Sequence, residues 1–180
     1  MSTVLPDILS PDLDVVFVGT SVATASAAQG HYYSGPRNQF WSLLSEAGLV
    51  ADRRLWPADD HALPTYGIGL TDLVKHRASS SDSNLTRGDL DVSGLVARIT
   101  HAAPRIVAFN GLTAAGVTGR ALRYGKPSLG LKPWKIGTSA VFVLPSSSAA
   151  ACDPSVWAPH ESKVDWWREL VAVISEARLG

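Results

Sequence analysis

A loop near the N-terminus combines small residues with one imidazole and two phenol rings. Residues 19–41 read GTSVATASAAQGHYYSGPRNQFW. The small residues allow backbone amides to approach a ligand closely, and His31, Tyr32 and Tyr33 add a titratable ring and two flat faces. This pattern is typical of a loop that holds a planar ring. Alternatively, the tyrosines pack the loop against a sheet and His31 is structural, as a single histidine commonly is.

Apolar runs predict the strands that would present this loop. They cover residues 15–18, 106–109 and 140–144, with a weaker, glycine-containing run at 66–71. Continuous apolar runs are typical of strands buried on both faces of a parallel sheet. Apolar residues at helical spacing predict helices near 40–47, 95–99, 113–122 and 164–177. We therefore predict the α/β class, a three-layer α/β/α sandwich around a mainly parallel sheet of four or five strands.

Such folds bind ligands beyond the carboxyl ends of their strands. The segments to inspect are residues 19–35, 71–77, 110–113 and 145–152. On residue types alone, Asn110 and Gly111 are a turn signal, and the Ser/Ala run after Pro145 is typical of a flexible linker.

Length and composition predict one domain, residues 1–180, with a loose N-terminal tail over residues 1–13. Apolar residues make up 46% of the chain and charged residues 18%, which favours a packed core over disorder. The chain contains no apolar run of membrane-spanning length, and its start lacks the pattern of a signal peptide. We expect a monomer in the cytoplasm, associated with the nucleoid if the source is prokaryotic, neither secreted nor bound to a membrane.

The single Cys152 excludes an internal disulfide and a cysteine-rich metal site. We expect no metal or cofactor, although a site made of histidine and carboxylate ligands remains formally open.

Charge is unevenly distributed along the chain. The net charge of zero argues against a nucleic-acid partner. However, residues 92–152 contain seven basic residues and no acidic one, whereas residues 1–91 contain six basic and eleven acidic residues. If the basic stretch forms one face, that face suits a polyanion and predicts salt-sensitive DNA binding. Alternatively, these charges scatter around the domain.

Several segments resemble, in order, those of the mismatch-specific uracil/thymine DNA glycosylases, a branch of the uracil-DNA glycosylase superfamily. The family pattern GINPG, a spacer and GHHYPGP-N-FW resembles GTSVA, TASAAQ and GHYYSGPRNQFW here, with identical spacing. HALPTYGIGLTDLVK, PRIVAFNG, LGLKPWKIG and VLPSSSAAAC resemble further family segments. The resemblance covers most of residues 15–175.

This resemblance implies a base-excision repair enzyme that flips a base out of DNA and hydrolyses its bond to the sugar, without a cofactor. It assigns stacking on the base to Tyr33. Tyr32 aligns with a family histidine near the base, so the polar contact there is weakened or altered. The resemblance also places the backbone around Gly19 and Thr20, together with Asn110, near the base. The implied partner is DNA containing uracil or a mismatched or deaminated base. The resemblance implies that the loop which meets DNA contains Ser146, Ser147, Ser148, Ala149 and Ala150. Lys132 and Lys135 lie before the last predicted strand and are candidate phosphate contacts; alternatively, each is a solvated surface charge.

The sequence differs from the family pattern at the catalytic position and in the loop that contacts DNA. The family's catalytic Asn aligns with Ser21, whose shorter side chain holds a water from a different point. Two groups could take over: His31, and Asp72, where the family tends to have Asn; a carboxylate can activate water and stabilise a cationic sugar. Alternatively, Asp72 caps a loop. The family's arginine that fills the gap left by the flipped base aligns with Ala150, so we expect weaker dependence on a mismatched guanine.

Three functions follow from these observations. The leading prediction is a monofunctional uracil-DNA glycosylase in which water attacks the sugar carbon, with Ser21, His31 and Asp72 as catalytic candidates. The second is a protein that binds uracil or damaged DNA without efficient turnover. The third, an unrelated hydrolase with Ser21 as nucleophile, is disfavoured because Ala23 breaks the G-x-S-x-G pattern.

Overall fold

Five strands form one sheet at the centre of the computed structural model, which describes residues 2–180. The strands are β1 (Val15–Ser21), β2 (Ile68–Val74), β3 (Ile106–Asn110), β4 (Gly130–Ile136) and β5 (Ser139–Leu144). Their order across the sheet is β2-β1-β3-β5-β4, and among the pairings of these five strands only β4–β5 is antiparallel. The predicted α/β class with a mainly parallel sheet is confirmed.

Helices cover both faces of the sheet. The α-helices of the described chain are α1 (Thr24–Gln29), α2 (Phe40–Glu46), α3 (Val92–Ala102), α4 (Leu112–Ala121) and α5 (Lys163–Leu179). On one face, Phe40 of α2 and Trp167 of α5 pack against Phe17 of β1. On the other face, α3 and α4 pack through Leu95 and Ala114. These two helical layers and the sheet are the three layers expected from the sequence.

No apolar run marks strand β4 in the sequence. Buried and exposed residues alternate along it: Trp134 and Ile136 are buried, whereas Leu131 and Lys135 are exposed. A strand at the edge of a sheet has less cover than a central strand and also tolerates a proline such as Pro133.

The N-terminal segment is not a loose tail, so this expectation was wrong for residues 4–13. The backbone N–H of Val4 donates to the carbonyl of Lys75 over 2.7 Å, and Ile8 forms an antiparallel bridge with Leu70. Leu5 and Leu13 are buried in the core. The segment covers the outer edge of β2, which would otherwise present unpaired backbone groups.

Three basic residues of the stretch 92–152 are paired with acidic residues or lie far from the loops expected to bind a ligand. The guanidinium of Arg98 lies 3.4 Å from a carboxylate oxygen of Asp7, and that of Arg105 lies 3.4 Å from Asp14. Lys135 pairs with Ala140 at the start of β5, whereas the loops expected to bind a ligand follow the end of β5. These positions favour the alternative in which the basic charges scatter around the domain.

Within residues 2–180, no helix has both the length and the apolar character needed to cross a bilayer.

Candidate active site at the carboxyl edge of the sheet

A cavity of about 410 Å³ opens at the carboxyl ends of the parallel strands. Each of the four loop segments singled out from the sequence contributes to its wall, through residues 19–23, Asp72, residues 110–113 and residues 146–148. Tyr32 and Tyr33 also line it. The volume is typical of a small-molecule site and suits one planar ring.

Asp72 lies in the wall of this cavity as a buried carboxyl group. It stands on β2 opposite Gly19 of β1, and only 2% of its surface is exposed. Its Oδ2 has no hydrogen-bond partner among the described residues. Burial raises the pKa of Asp72 to about 7; Lys75 and Arg98 oppose this shift, and Asp7 adds to it. The carboxyl group therefore does not cap a loop, and it exchanges protons near neutrality.

Gly19 provides the space in which this carboxyl group sits. A Cβ atom at position 19 would collide with Oδ1 of Asp72 and would lie 3.2 Å from the hydroxyl of Tyr33. A larger residue here would displace the Asp72 carboxyl group, so the glycine preserves its position beside the Tyr33 hydroxyl.

Tyr33 places an aromatic ring in the cavity wall. Its ring stacks on Phe40 with centroids 4.1 Å apart and an interplanar angle of 20°. Its backbone has a φ of 53°, which is uncommon for a non-glycine residue and turns the chain at this point. Burial, with a further contribution from Asp72, raises the pKa of the Tyr33 phenol, which therefore stays neutral at ordinary pH.

Tyr32 has a more structural position than its neighbour. It is 3% exposed, and its hydroxyl donates to the carbonyl of Pro6 over 3.2 Å while it accepts from Nζ of Lys75 over 2.9 Å. Burial is the main cause that raises the pKa of this phenol. The hydroxyl thus holds the N-terminal segment, and the ring contributes to the cavity wall.

Thr20 and Ser21 lie at the end of β1 and line the cavity, as expected. The hydroxyl of Thr20 donates to Oδ2 of Asp82 over 3.3 Å.

His31 is not brought to the cavity. Its Nδ1 lies 3.2 Å from Oδ2 of Asp60, and the same oxygen accepts the backbone N–H of Tyr32 over 3.3 Å. His31 is absent from the residues that line the cavity. In this position the histidine helps to fix the loop that presents the tyrosines, and its geometry does not support the catalytic role expected for it.

The serine loop, residues 146–150, is held by a buried hydrogen-bond network. Oδ1 of Asn110 accepts the backbone N–H of Ser147 over 2.8 Å, and Nδ2 of Asn110 donates to Oγ of Ser147 over 2.8 Å. The Ser147 hydroxyl donates to Oδ1 of Asn38 over 2.9 Å. Asn110 therefore fixes the serine loop as well as lining the cavity, and the loop is not a flexible linker.

Most of the serine loop faces the cavity. Ser146, Ser147, Ser148 and Ala150 line it, whereas Ala149 faces a separate hollow beside Cys152 and Lys163. Ala149 is thus the one member of the loop that the structure does not bring to the site.

The two lysines expected to contact DNA are not at the cavity. Nζ of Lys132 donates to the carbonyls of Ser128 and Leu129 over 2.8 and 2.9 Å, so its charge is engaged within the chain. Lys135 is exposed at the far end of the sheet. Neither placement supports a phosphate contact next to the flipped base.

A further wall of the cavity was not indicated by the sequence. Residues 79–82 line it, and the backbone N–H of Ser79 donates to the carbonyl of Val22 over 2.9 Å. The only signal in the sequence was a serine-rich composition. Asp72 and Asp82 are the only charged residues among those described that line the cavity.

In the part of the chain that the structure describes, no group of three His, Cys, Asp or Glu side chains is placed to hold a metal ion.

This fold and site can now be set beside known proteins. Residues 6–171 match the model of the uracil DNA glycosylase superfamily. Because the match spans most of the chain, the protein belongs to that superfamily. The chain is also similar to the solution NMR structure of a "putative Uracil DNA glycosylase" from Methanosarcina acetivorans, at 25% sequence identity and a TM-score of 0.57. That alignment covers 97% of this chain and 96% of the other. The superfamily inferred from the motifs is confirmed.

Proposed function

We propose that the protein is a monofunctional DNA glycosylase of the mismatch-specific uracil/thymine branch that removes uracil or another deaminated base from DNA. The observation that carries the proposal is the buried carboxyl group of Asp72, whose Oδ2 has no hydrogen-bond partner among the described residues, in the wall of a cavity of about 410 Å³. The chain's membership of the uracil DNA glycosylase superfamily supports the reaction class.

In the proposed reaction, a flipped base enters the cavity and packs against the ring of Tyr33. Water forms a bond to the sugar carbon C1′ while the bond between C1′ and the base nitrogen breaks and its electron pair leaves with the base. Asp72 accepts the proton of the water, and its negative charge stabilises the cationic sugar. Backbone amides near Thr20 and Ser21 stabilise the charge that develops on the base.

This role requires Asp72 to be ionised. Because its pKa is about 7, the rate of base release should rise as the pH increases through neutrality and then level off.

The serine loop affects whether the protein prefers single-stranded or duplex DNA. Ala150 lines the cavity and has no side chain that could fill the space left by a flipped base. We therefore expect single-stranded or destabilised DNA to compete well with a matched duplex, since extrusion costs less there.

A second candidate function is binding of uracil-containing DNA without efficient turnover. Ser21 favours it, because a short hydroxyl stands where the family's amide positions the attacking water. Retained affinity without base release would distinguish this case.

The experiment measures uracil release from one oligonucleotide that is single-stranded, paired with adenine or placed opposite guanine. The wild type is compared with Ser21→Asn, and DNA affinity is measured in parallel. We expect release from all three substrates, fastest from the single strand, and a gain with Ser21→Asn. Tight binding without release by the wild type would favour the second function. If the wild type shows no binding and no release, both proposed functions are contradicted.

A further inference from the structure

A partly buried polar network near Asp72 is formed by residues that do not line the cavity. Oδ1 of Asp7 lies 2.8 Å from Nζ of Lys75 and accepts the hydroxyl of Thr71 over 2.7 Å. Oδ2 of the same residue lies 3.4 Å from Nε of Arg98. From the N-terminal segment, Asp7 therefore contacts a cation directly after β2, Lys75, and a cation on α3, Arg98.

These two cations are the ones that act on the Asp72 carboxyl group. Arg98 reaches Asp72 only through the backbone, where Nη2 donates to the Asp72 carbonyl over 2.8 Å. Nζ of Lys75 donates instead to the carbonyl of Leu5 and to the hydroxyl of Tyr32. Both cations are thus engaged elsewhere.

We propose that Asp7 is a positioning residue that engages Lys75 and Arg98 and so leaves the Asp72 carboxyl group without a cationic partner. This inference rests on the proposed function, in which Asp72 activates water. A carboxylate with a close cationic partner would be a weaker base, so the separation favours proton transfer.

The electrostatics of the site agree with this geometry. Burial is the largest cause of the raised pKa of Asp72; Lys75 and Arg98 lower that pKa, and Asp7 raises it. The other titratable groups that face Asp72 are the phenols of Tyr32 and Tyr33, which stay neutral at ordinary pH. Asp82 lines the same cavity and hydrogen-bonds with Thr20.

Two substitutions in the network should move the pKa of Asp72 in opposite directions. Asp7→Asn removes the negative charge that Lys75 and Arg98 contact, so the pKa of Asp72 should fall by about one pH unit. Arg98→Gln removes a cation and should raise it. A loss of packing alone would not produce shifts of opposite sign.

The test follows the pH titration of isotopically labelled aspartate carboxyl groups by carbon NMR, with the Asp72 signal assigned by its absence in Asp72→Asn. Asp12→Asn is the matched control, because it removes an exposed carboxylate from the same segment. We expect an unchanged midpoint in the control, a lower one in Asp7→Asn and a higher one in Arg98→Gln. The same displacement should appear in the pH profile of uracil release.

An Asp72 midpoint that stays in place in folded Asp7→Asn protein would overturn the proposal. If Asp7→Asn does not fold, the titration of Arg98→Gln tests the proposal instead. An Asp72 midpoint that is unchanged or lowered in Arg98→Gln would overturn the proposal. The titration does not depend on activity. The expected shifts in a protein that releases no base would therefore refute the proposed function while leaving the role of Asp7 intact.

Discussion

Asp72 is a residue whose ionisation opposes the stability of the fold. Its pKa is about 7 in the folded protein against 3.8 as the ordinary value. The folded state therefore holds a proton over a range of pH in which the unfolded chain has released it. The stability that comes from this proton is fully present below the unfolded pKa and is lost as the pH rises through about 7.

Asp72→Asn should therefore stabilise the protein at alkaline pH. We expect the free energy of unfolding to rise by about 2–4 kcal/mol near pH ~8 and to change little near pH ~4, where the carboxyl group is already neutral. Urea denaturation at the two pH values measures the difference. Asp82→Asn, at an exposed carboxylate, serves as the control, and an equal effect of Asp72→Asn at both pH values would show that ionisation is not the cause.

At the scale of elements, the serine loop is held by β3 rather than by its own sequence. Asn110, the last residue of β3, receives the backbone N–H of Ser147 and donates to its hydroxyl. This arrangement explains how a Ser/Ala stretch keeps a defined shape at the edge of the cavity.

Asn110→Ala should release the loop. The buried N–H of Ser147 would lose its acceptor, so we expect the free energy of unfolding to fall by about 1–3 kcal/mol. Denaturation gives this value, and hydrogen exchange at the Ser147 amide shows whether the loss is local. Asn84→Ala, at an exposed asparagine in a short 3₁₀ turn, is the matched control. Unchanged protection at Ser147 in Asn110→Ala would contradict this view of the loop.

The central elements could be predicted from the sequence, because buried strands and amphipathic helices leave apolar patterns. The runs at residues 15–18, 106–109 and 140–144 all became strands. Strand β4 could not be predicted, because an edge strand alternates between buried and exposed residues and this one contains Pro133. Missing β4 is also why Lys135 was assigned to DNA, since only the strand register places it at the far end of the sheet.

The candidate site was partly predictable for a similar reason. Gly19, Thr20, Ser21, Tyr33 and Asp72 follow or end predicted strands, so topology brings them together. His31 belongs to the same loop, but its orientation depends on Asp60, a partner 29 residues away that no local pattern indicates.

For the whole molecule, the placement of charge predicts weakly salt-dependent DNA binding. The described residues that line the cavity include no lysine or arginine, and Arg98, Arg105 and Lys132 are engaged within the chain. This prediction differs from the salt-sensitive binding expected if the basic stretch formed one face.

We expect no more than about three phosphate contacts, which corresponds to a loss of affinity of about 40-fold between ~50 and ~200 mM salt. Fluorescence anisotropy with a labelled uracil oligonucleotide measures the slope. Lys135→Gln should leave it unchanged, because this residue lies at the far end of the sheet. A loss of about a thousandfold or more would mean that a basic surface outside the cavity binds the DNA.

The most direct test of the account is the single-turnover rate of uracil release by Asp72→Asn near pH ~8. If Asp72 activates the attacking water, this rate should fall by at least about 100-fold. His31→Ala should stay within a few-fold of the wild type, because this residue lies outside the cavity. Release of uracil by Asp72→Asn at the wild-type rate would contradict the account.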